Sequence, residues 1–477
     1  MSSFVSLYKS NKQYFDMIRI TKLLFLLLAV TVVVSSCKKD VIDETQNSEF
    51  KKVADFNNEA IYEWNETYLQ VERYAAGYRP GPAPRSVALL GLSAYEACIA
   101  GMPDFNSFDN YWAGFDVPNA DRSKEYYWPL VVNASYEYLM PRFFPHVPDA
   151  QQTLIKTTAK RLNDKYRSEI TAELYDRSVN RGREVAEAIW EWSKTDIVGH
   201  DHYLDPFQGY DWEANYKKPG DWEPTFPGPG RPMGGVWGGA RTFAIKEDQK
   251  ICRKPIPYSE DTKSHLYSQA IEVYSQNTPT LSYEAEWVGE FWSDDLLNLT
   301  FSPGVRMLAI GNQVLQLEKS NLETAVYMTA LVGTASNDAG IACWNSKYHY
   351  NVERPESYIQ RLIDPTWEPN LYNPLTGEEG VTPSFPAYPS GHSTMGAAGA
   401  EALGHIFGYS YSMTDNCHKN RSEFEGTPRT FSSFEEMANE SAWSRVPLGV
   451  HFRMDSEEGV RFGKEIGRSA HRLPWKK

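Results

Sequence analysis

Residues 385–392 read Phe385-Pro386-Ala387-Tyr388-Pro389-Ser390-Gly391-His392, and a run of small residues follows to Phe407. The prolines stiffen the approach, and Ser390 is a good N-cap for a helix. Gly391 has no Cβ to hold an anion away from its backbone N–H. The turn therefore predicts a helix N-terminus facing an anion, with His392 in the first turn able to give or take a proton. Taken alone, the same residues also describe a capped helix with a structural histidine.

Two further stretches flank this turn. Upstream lie Lys347 and Arg354-Pro355. Seven residues is close to two helical turns, so the two cations are expected on one helix face. Pro355 disfavours helix at the residue before it, so that helix should end near Arg354. Downstream the chain reads Ser444-Arg445-Val446-Pro447-Leu448-Gly449-Val450-His451-Phe452-Arg453-Met454-Asp455. If helix runs from Val450, Asp455 lies one turn from His451 on the same face. A carboxylate on one imidazole nitrogen fixes the tautomer and leaves the other free to attack or ligate. Arg445 adds a planar donor fork suited to an oxyanion. Each piece has a bland structural reading; together, three cations and two histidines describe a receptor for one tetrahedral oxyanion.

The three motifs, in this order, resemble the signature of the type 2 phosphatidic acid phosphatase and vanadium haloperoxidase superfamily, Lys-x6-Arg-Pro, Pro-Ser-Gly-His and Ser-Arg-x5-His-x3-Asp. Every signature position is matched between Lys347 and Asp455. Phe385 and Trp344 are similar to site aromatics of the chloroperoxidase branch. Glu290 to Asp294 resembles a recurrent segment of secreted bacterial members, with Asp294 a possible partner for Arg445. The resemblance implies an all-α fold of two packed helical bundles. It implies that Lys347, Arg354 and Arg445, with the Ser390 hydroxyl and Gly391 N–H, hold vanadate or phosphate. His451 would ligate the vanadium of vanadate or attack phosphorus, Asp455 would orient it, and His392 would be the acid–base. The implied chemistry is oxidation of halide by hydrogen peroxide with vanadate as cofactor. An alternative is hydrolysis of a phosphate ester through a phosphohistidine, with no cofactor. A third reading is a surface lipoprotein that binds oxyanions or polymers without turnover.

The rest of the chain sets bounds. The 477 residues are 41% hydrophobic and carry a net charge of −14, ample for a large core and unsuited to non-specific nucleic-acid binding. Lys22, an apolar run over 23–34 and Val34-Ser35-Ser36-Cys37 describe an export signal similar to a bacterial lipobox. This predicts a lipid on Cys37, a polar tether over 38–55 and attachment at the outer membrane or cell surface. Met17 is an alternative start to Met1. No run after residue 40 is long and apolar enough for a spanning helix, which argues against an integral lipid phosphatase. Cys98, Cys252, Cys343 and Cys417 show no zinc spacing. His200-Asp201-His202 is a weak metal motif, and Trp190 and Trp192 read as packing residues.

Helical patterns are expected over 86–101, 125–139, 151–166, 174–194, 265–276, 283–297, 305–318, 322–348, 391–407, 434–441 and 452–466. Residues 199–241 are so rich in Gly, Pro and Trp that they read as one long irregular excursion. This organisation predicts an N-terminal helical region over 56–300 and a catalytic helical domain over 301–477.

Overall fold

The computed structural model describes residues 50–225, 230–276, 280–294 and 296–477. The predicted export signal, Cys37 and most of the tether lie outside the described residues. The expected tether reaches into the body, because Val53 in a short 3-10 helix, Val53–Asp55, is fully buried. Residues Lys51–Asp121 and Glu125–Lys477 form one compact unit.

Helices dominate. The N-terminal set comprises α1 (Glu59–Glu72), α2 (Pro82–Cys98), α3 (Trp128–Phe143), α4 (Asp149–Arg167) and α5 (Ala172–Lys194). Helix α4 buries Ile155, Ala159, Leu162 and Tyr166, the one-face spacing of an amphipathic surface helix. Helix α3 is largely buried on both faces, because α2, α4 and α5 all pack on it. Trp192 donates its indole N–H to Ala113 O at 3.1 Å, as a packing residue should.

After the excursion come α6 (His265–Tyr274), α7 (Tyr283–Phe291), α8 (Arg306–Leu317), α9 (Leu322–Tyr350) and α10 (Pro355–Leu362). They are followed by α11 (Gly391–Phe407), α12 (Phe434–Trp443) and α13 (Arg453–His471). Helix α9 is nearly all buried over 29 residues. It packs against α2 on one side and α11 on the other, so one helix joins two bundles. Helices α11 and α13 approach closely because small residues face each other; a Cβ at Gly463 would lie 2.1 Å from Thr394 O. That close approach brings the start of α13 against the start of α11.

Three local expectations fail for identifiable reasons. The pattern over 283–297 stops as helix at Phe291, after which the chain turns to bury Asp294. A further helix, α10, begins at Pro355, since proline suits a first helical position. A small antiparallel hairpin, β1 (Met413–Asp415) with β2 (Arg429–Phe431), is too short for period-two patterning to reveal. The described residues of the excursion hold only short helical turns, at His202–Leu204, Trp212–Asn215 and Trp237–Gly239, and they are anchored: Met233 N–H donates to Ser384 O at 2.7 Å, and Asp221 bridges Val352. It thereby reaches the segment leading into Ser390.

Candidate active site

Lys347 lies in the last turn of α9 and is fully buried. Its Nζ donates to Pro386 O at 2.9 Å and Ala387 O at 2.8 Å. The helix ends at Asn351, whose φ of 51° is a left-handed C-terminal stop. Arg354 is therefore not on the Lys347 helix face, as the spacing had suggested. It sits in extended backbone as the residue before α10. The bend returns it to the same place: Nε donates to Phe385 O at 3.0 Å and Nη1 to Val450 O at 2.7 Å.

Ser390 caps α11 as expected, its hydroxyl accepting the Ser393 N–H at 3.4 Å. Its own N–H donates to the backbone carbonyl of Asp455 at 2.9 Å, tying the two motifs together. Packing at Gly391 is tight: a Cβ there would stand 3.2 Å from the Trp344 ring. His392 follows in the first turn and is 8% exposed.

His451 is placed differently from the helical reading. Helix α13 begins at Arg453, so His451 precedes it. Asp455 is the third residue of that helix, and its Oδ2 accepts the Phe452 N–H at 3.0 Å as a capping carboxylate. The same oxygen lies 2.9 Å from His451 Nδ1. The contact foreseen between these residues forms through the cap, not along a helix face. Nδ1–H donating to Asp455 leaves the Nε2 lone pair to accept from Arg354 Nη1 at 3.2 Å.

The electrostatics follow from burial. Desolvation, then the charges of Arg354, Lys347, Arg445 and His392, hold His451 well below the usual histidine range, so it is neutral. Burial pulls the Lys347 ammonium down, with Arg354 adding to the effect. Burial pushes the Asp455 carboxyl up, opposed by Lys347 and Arg354. Arg445, 1% exposed, completes the set. The donors match what a tetrahedral oxyanion needs: several cations, a helix N-terminus and one neutral imidazole nitrogen.

Gly391, His392, Arg445 and His451 lie together on the lining of a cavity of about 400 Å3. Trp344 and Phe385 also line it, with ring centroids 4.9 Å apart. Lys347 Nζ and the Arg354 guanidinium lie 5.1 and 5.0 Å from the Phe385 ring, a cation–π arrangement. Other lining residues were not foreseen: Phe207 and Met233 from the excursion, Leu297 from the segment after α7, and Arg79. Only the Gly/Pro-rich composition of the excursion hinted at a functional loop. A neighbouring groove of about 890 Å3 shares Leu371 but is bordered by Glu286, Glu290, Asp364, Glu368 and Glu379, which repel an oxyanion.

Asp294, considered as a partner for Arg445, is engaged by Arg306 Nη1 at 3.0 Å and His418 Nε2 at 2.9 Å. Arg306 also holds Asp415 at 2.8 Å. This buried cluster was invisible in the sequence, because its members are far apart along the chain. His200 and His202 belong to no cluster of three or more metal-ligating side chains among the described residues. Instead His202 packs on Trp237. No helix of the described residues is long and apolar enough to cross a membrane.

Residues 327–474 match the family model of the VCPO second helical-bundle domain. The vanadium chloroperoxidase of Curvularia inaequalis is 24% identical over 494 residues, covering 84% of this chain and 80% of that protein. The vanadium-dependent bromoperoxidase of Ascophyllum nodosum is 30% identical over 117 residues, covering 23% of this chain and 21% of that protein. Among solved structures, the first bacterial vanadium-dependent iodoperoxidase superposes with a TM-score of 0.75 at 25% identity, covering 87% of this chain and 96% of that one. The holo form of a bacterial vanadium-dependent chloroperoxidase gives 0.61 at 15%, covering 83% and 94%.

Proposed function

We propose that this chain is a member of the vanadium haloperoxidase superfamily, which its similarity to the relatives above supports, and that it oxidises halide with hydrogen peroxide at a vanadate held by His451. The observation that carries this reading is the His451 imidazole, bonded through Nδ1 to Asp455 and facing Arg354 with Nε2, among buried cations. Lys347, Arg354 and Arg445, with the Ser390 hydroxyl and Gly391 N–H, would hold the oxyanion. Bound there, vanadate supplies the Lewis acid that makes hydrogen peroxide electrophilic toward halide.

The residues have separate tasks. Asp455 keeps the proton on Nδ1 and so keeps Nε2 available. An arriving oxyanion favours the charged form of Lys347, offsetting the desolvation that lowers its pKa. Preorganised cations then stabilise negative charge without reorganising. His392, in the first turn of α11, moves the proton that peroxide must lose. Trp344 and Phe385 keep bulk water from the cations.

The same neutral, carboxylate-oriented imidazole also suits a phosphohistidine, which keeps a secreted phosphatase as the second reading. One assay separates them. Purified protein is loaded with orthovanadate and given peroxide, bromide and a phenolic dye, with p-nitrophenyl phosphate hydrolysis run beside it without vanadate. Dye bromination that requires vanadate supports the first reading. Phosphate release that vanadate inhibits, without bromination, replaces it with the second. We further propose that the chain is exported and held by a lipid on Cys37 at the outer membrane or cell surface. Radiolabelled palmitate that fails to enter wild-type protein, or enters Cys37→Ala equally, would refute that.

A further inference from the structure

The site is assembled from the last turn of α9, the turn before α11 and the start of α13. One further segment is bonded to all three. Residues 250–253 follow the excursion, outside any helix or strand, with Lys250 and Cys252 buried and Ile251 and Arg253 exposed. At α9, Ser346 Oγ donates to Lys250 O and accepts the Cys252 N–H, both at 3.1 Å, and Tyr350 Oη donates to Cys252 O at 2.8 Å. At the turn, Tyr388 Oη donates to Arg253 O at 2.6 Å. On α13, Glu458 Oε1 accepts the Arg253 N–H at 2.8 Å.

The bonded residues stand next to the site residues in the chain. Ser346 precedes Lys347, Tyr388 is two residues before Ser390, and Glu458 is about one helical turn after Asp455. Every bond uses the main chain of 250–253, whose dimensions are fixed at about 3.8 Å between successive Cα atoms. Groups held by so short a peptide cannot drift apart independently. Ser390 N–H to Asp455 O already joins the turn to α13. Arg253, bonded to both Tyr388 and Glu458, joins them a second time, which fixes their angle as well as their distance. Such a restraint has work to oppose, because the charges of Lys347 and Arg354 disfavour one another.

We propose that residues 250–253 are a clamp that sets the spacing of the oxyanion site, with Tyr388 and Glu458 as positioning residues acting through it. This rests on the reading of that site as an oxyanion receptor. Neither side chain has to touch the oxyanion. The Tyr388 hydroxyl holds the turn so that Ser390 and Gly391 stay aligned, and Glu458 holds α13 so that Asp455 and His451 stay opposite them. Preorganised donors bind an anion without first being gathered, so loosening the clamp weakens binding even where the fold survives.

Orthovanadate is titrated calorimetrically into full-length Tyr388→Phe, Glu458→Ala and Glu458→Gln, and denaturant stability is measured on each. Phenylalanine keeps the ring of Tyr388, and glutamine keeps an oxygen to accept the Arg253 N–H. Tyr95→Phe, which loses a hydroxyl bonded to Asn106 O at 2.7 Å in the N-terminal set, controls for the loss of a buried tyrosine hydroxyl. We expect affinity to fall about tenfold in Tyr388→Phe and in Glu458→Ala, and to stay within about threefold of wild type in Glu458→Gln and Tyr95→Phe. The Tyr388→Phe, Glu458→Ala double variant should lose clearly less than about a hundredfold, because both changes release the same clamp. Unchanged affinity in Tyr388→Phe, whatever its stability, overturns the proposal, since the hydroxyl would then serve the fold alone. Glu458→Gln as weak as Glu458→Ala also overturns it, because charge rather than the bond to Arg253 would be acting. Wild type that binds no orthovanadate overturns it through failure of the oxyanion reading.

Discussion

Two buried cations in this protein are treated in opposite ways. Arg306 is enclosed by carboxylates, bonding Asp294 and Asp415 at 3.0 and 2.8 Å, with its guanidinium also over the Phe291 and Trp292 rings. Those charges overcome its desolvation and push its pKa up. Lys347 is equally buried, but its ammonium is bonded to two neutral carbonyls, and its pKa is pulled down. The first arrangement is closed: charge meets charge, and the product is a fixed loop after α7. The second holds positive charge at a cost, with Asp455 the carboxylate that acts on it without a direct bond, and an arriving anion would compensate it further. A buried cation therefore marks structure or function according to its counter-charge.

The sharpest way to break this contrast is to remove each cation. Arg306→Met strands Asp294 and Asp415, so stability to denaturant should fall by about 3–5 kcal/mol. Lys347→Met removes a charge already disfavoured by burial but takes the donor from Pro386 O and Ala387 O, so the loss should be smaller, about 1–3 kcal/mol. Equal losses in the two variants would dissolve the distinction.

Ligand linkage gives the next effect. Orthovanadate at a hundred times its dissociation constant should stabilise wild type by about 2.7 kcal/mol, seen as a raised Tm. In Lys347→Met the affinity should fall about a hundredfold, the size expected for one preorganised charge donor. An undiminished shift in that variant would remove Lys347 from the oxyanion site. His392→Ala should retain the shift and lose halide oxidation by about a hundredfold or more.

A smaller effect concerns pH. His451 has its pKa lowered by burial and by neighbouring cations, so the unfolded chain takes up its proton first. Its contribution is complete above the ordinary histidine value of 6.5 and is lost progressively as pH falls below it. Denaturation of His451→Gln should therefore show a shallower loss of stability below that pH than wild type. Identical slopes would mean that His451 is not held neutral.

Legibility of the sequence followed the range of the interactions. Lys347, Arg354, Ser390, Gly391, His392, Arg445, His451 and Asp455 could be named because their types and spacings carry a chemical logic, and the structure draws them together. Their local geometry was less accessible. Nothing in the Lys347–Arg354 spacing announced the left-handed turn at Asn351, and a helical phase predicted the His451–Asp455 contact for the wrong reason. The start of α11 at Gly391 was legible because a serine cap and small residues agree on it. The Arg306 cluster and the cavity wall were not, since each is assembled from segments separated by tens to hundreds of residues. The end of α7 was misplaced for the same cause: Asp294 leaves the helical pattern to meet Arg306 and His418.

The most direct test of the account is a calorimetric titration of orthovanadate into wild type and His451→Ala, followed by bromide oxidation in the same samples. The account predicts one saturable site in wild type, peroxide-dependent bromide oxidation that rises with its occupancy, and loss of that activity in His451→Ala. Bromide oxidation that ignores vanadate occupancy, or survives unchanged without the His451 imidazole, would contradict it.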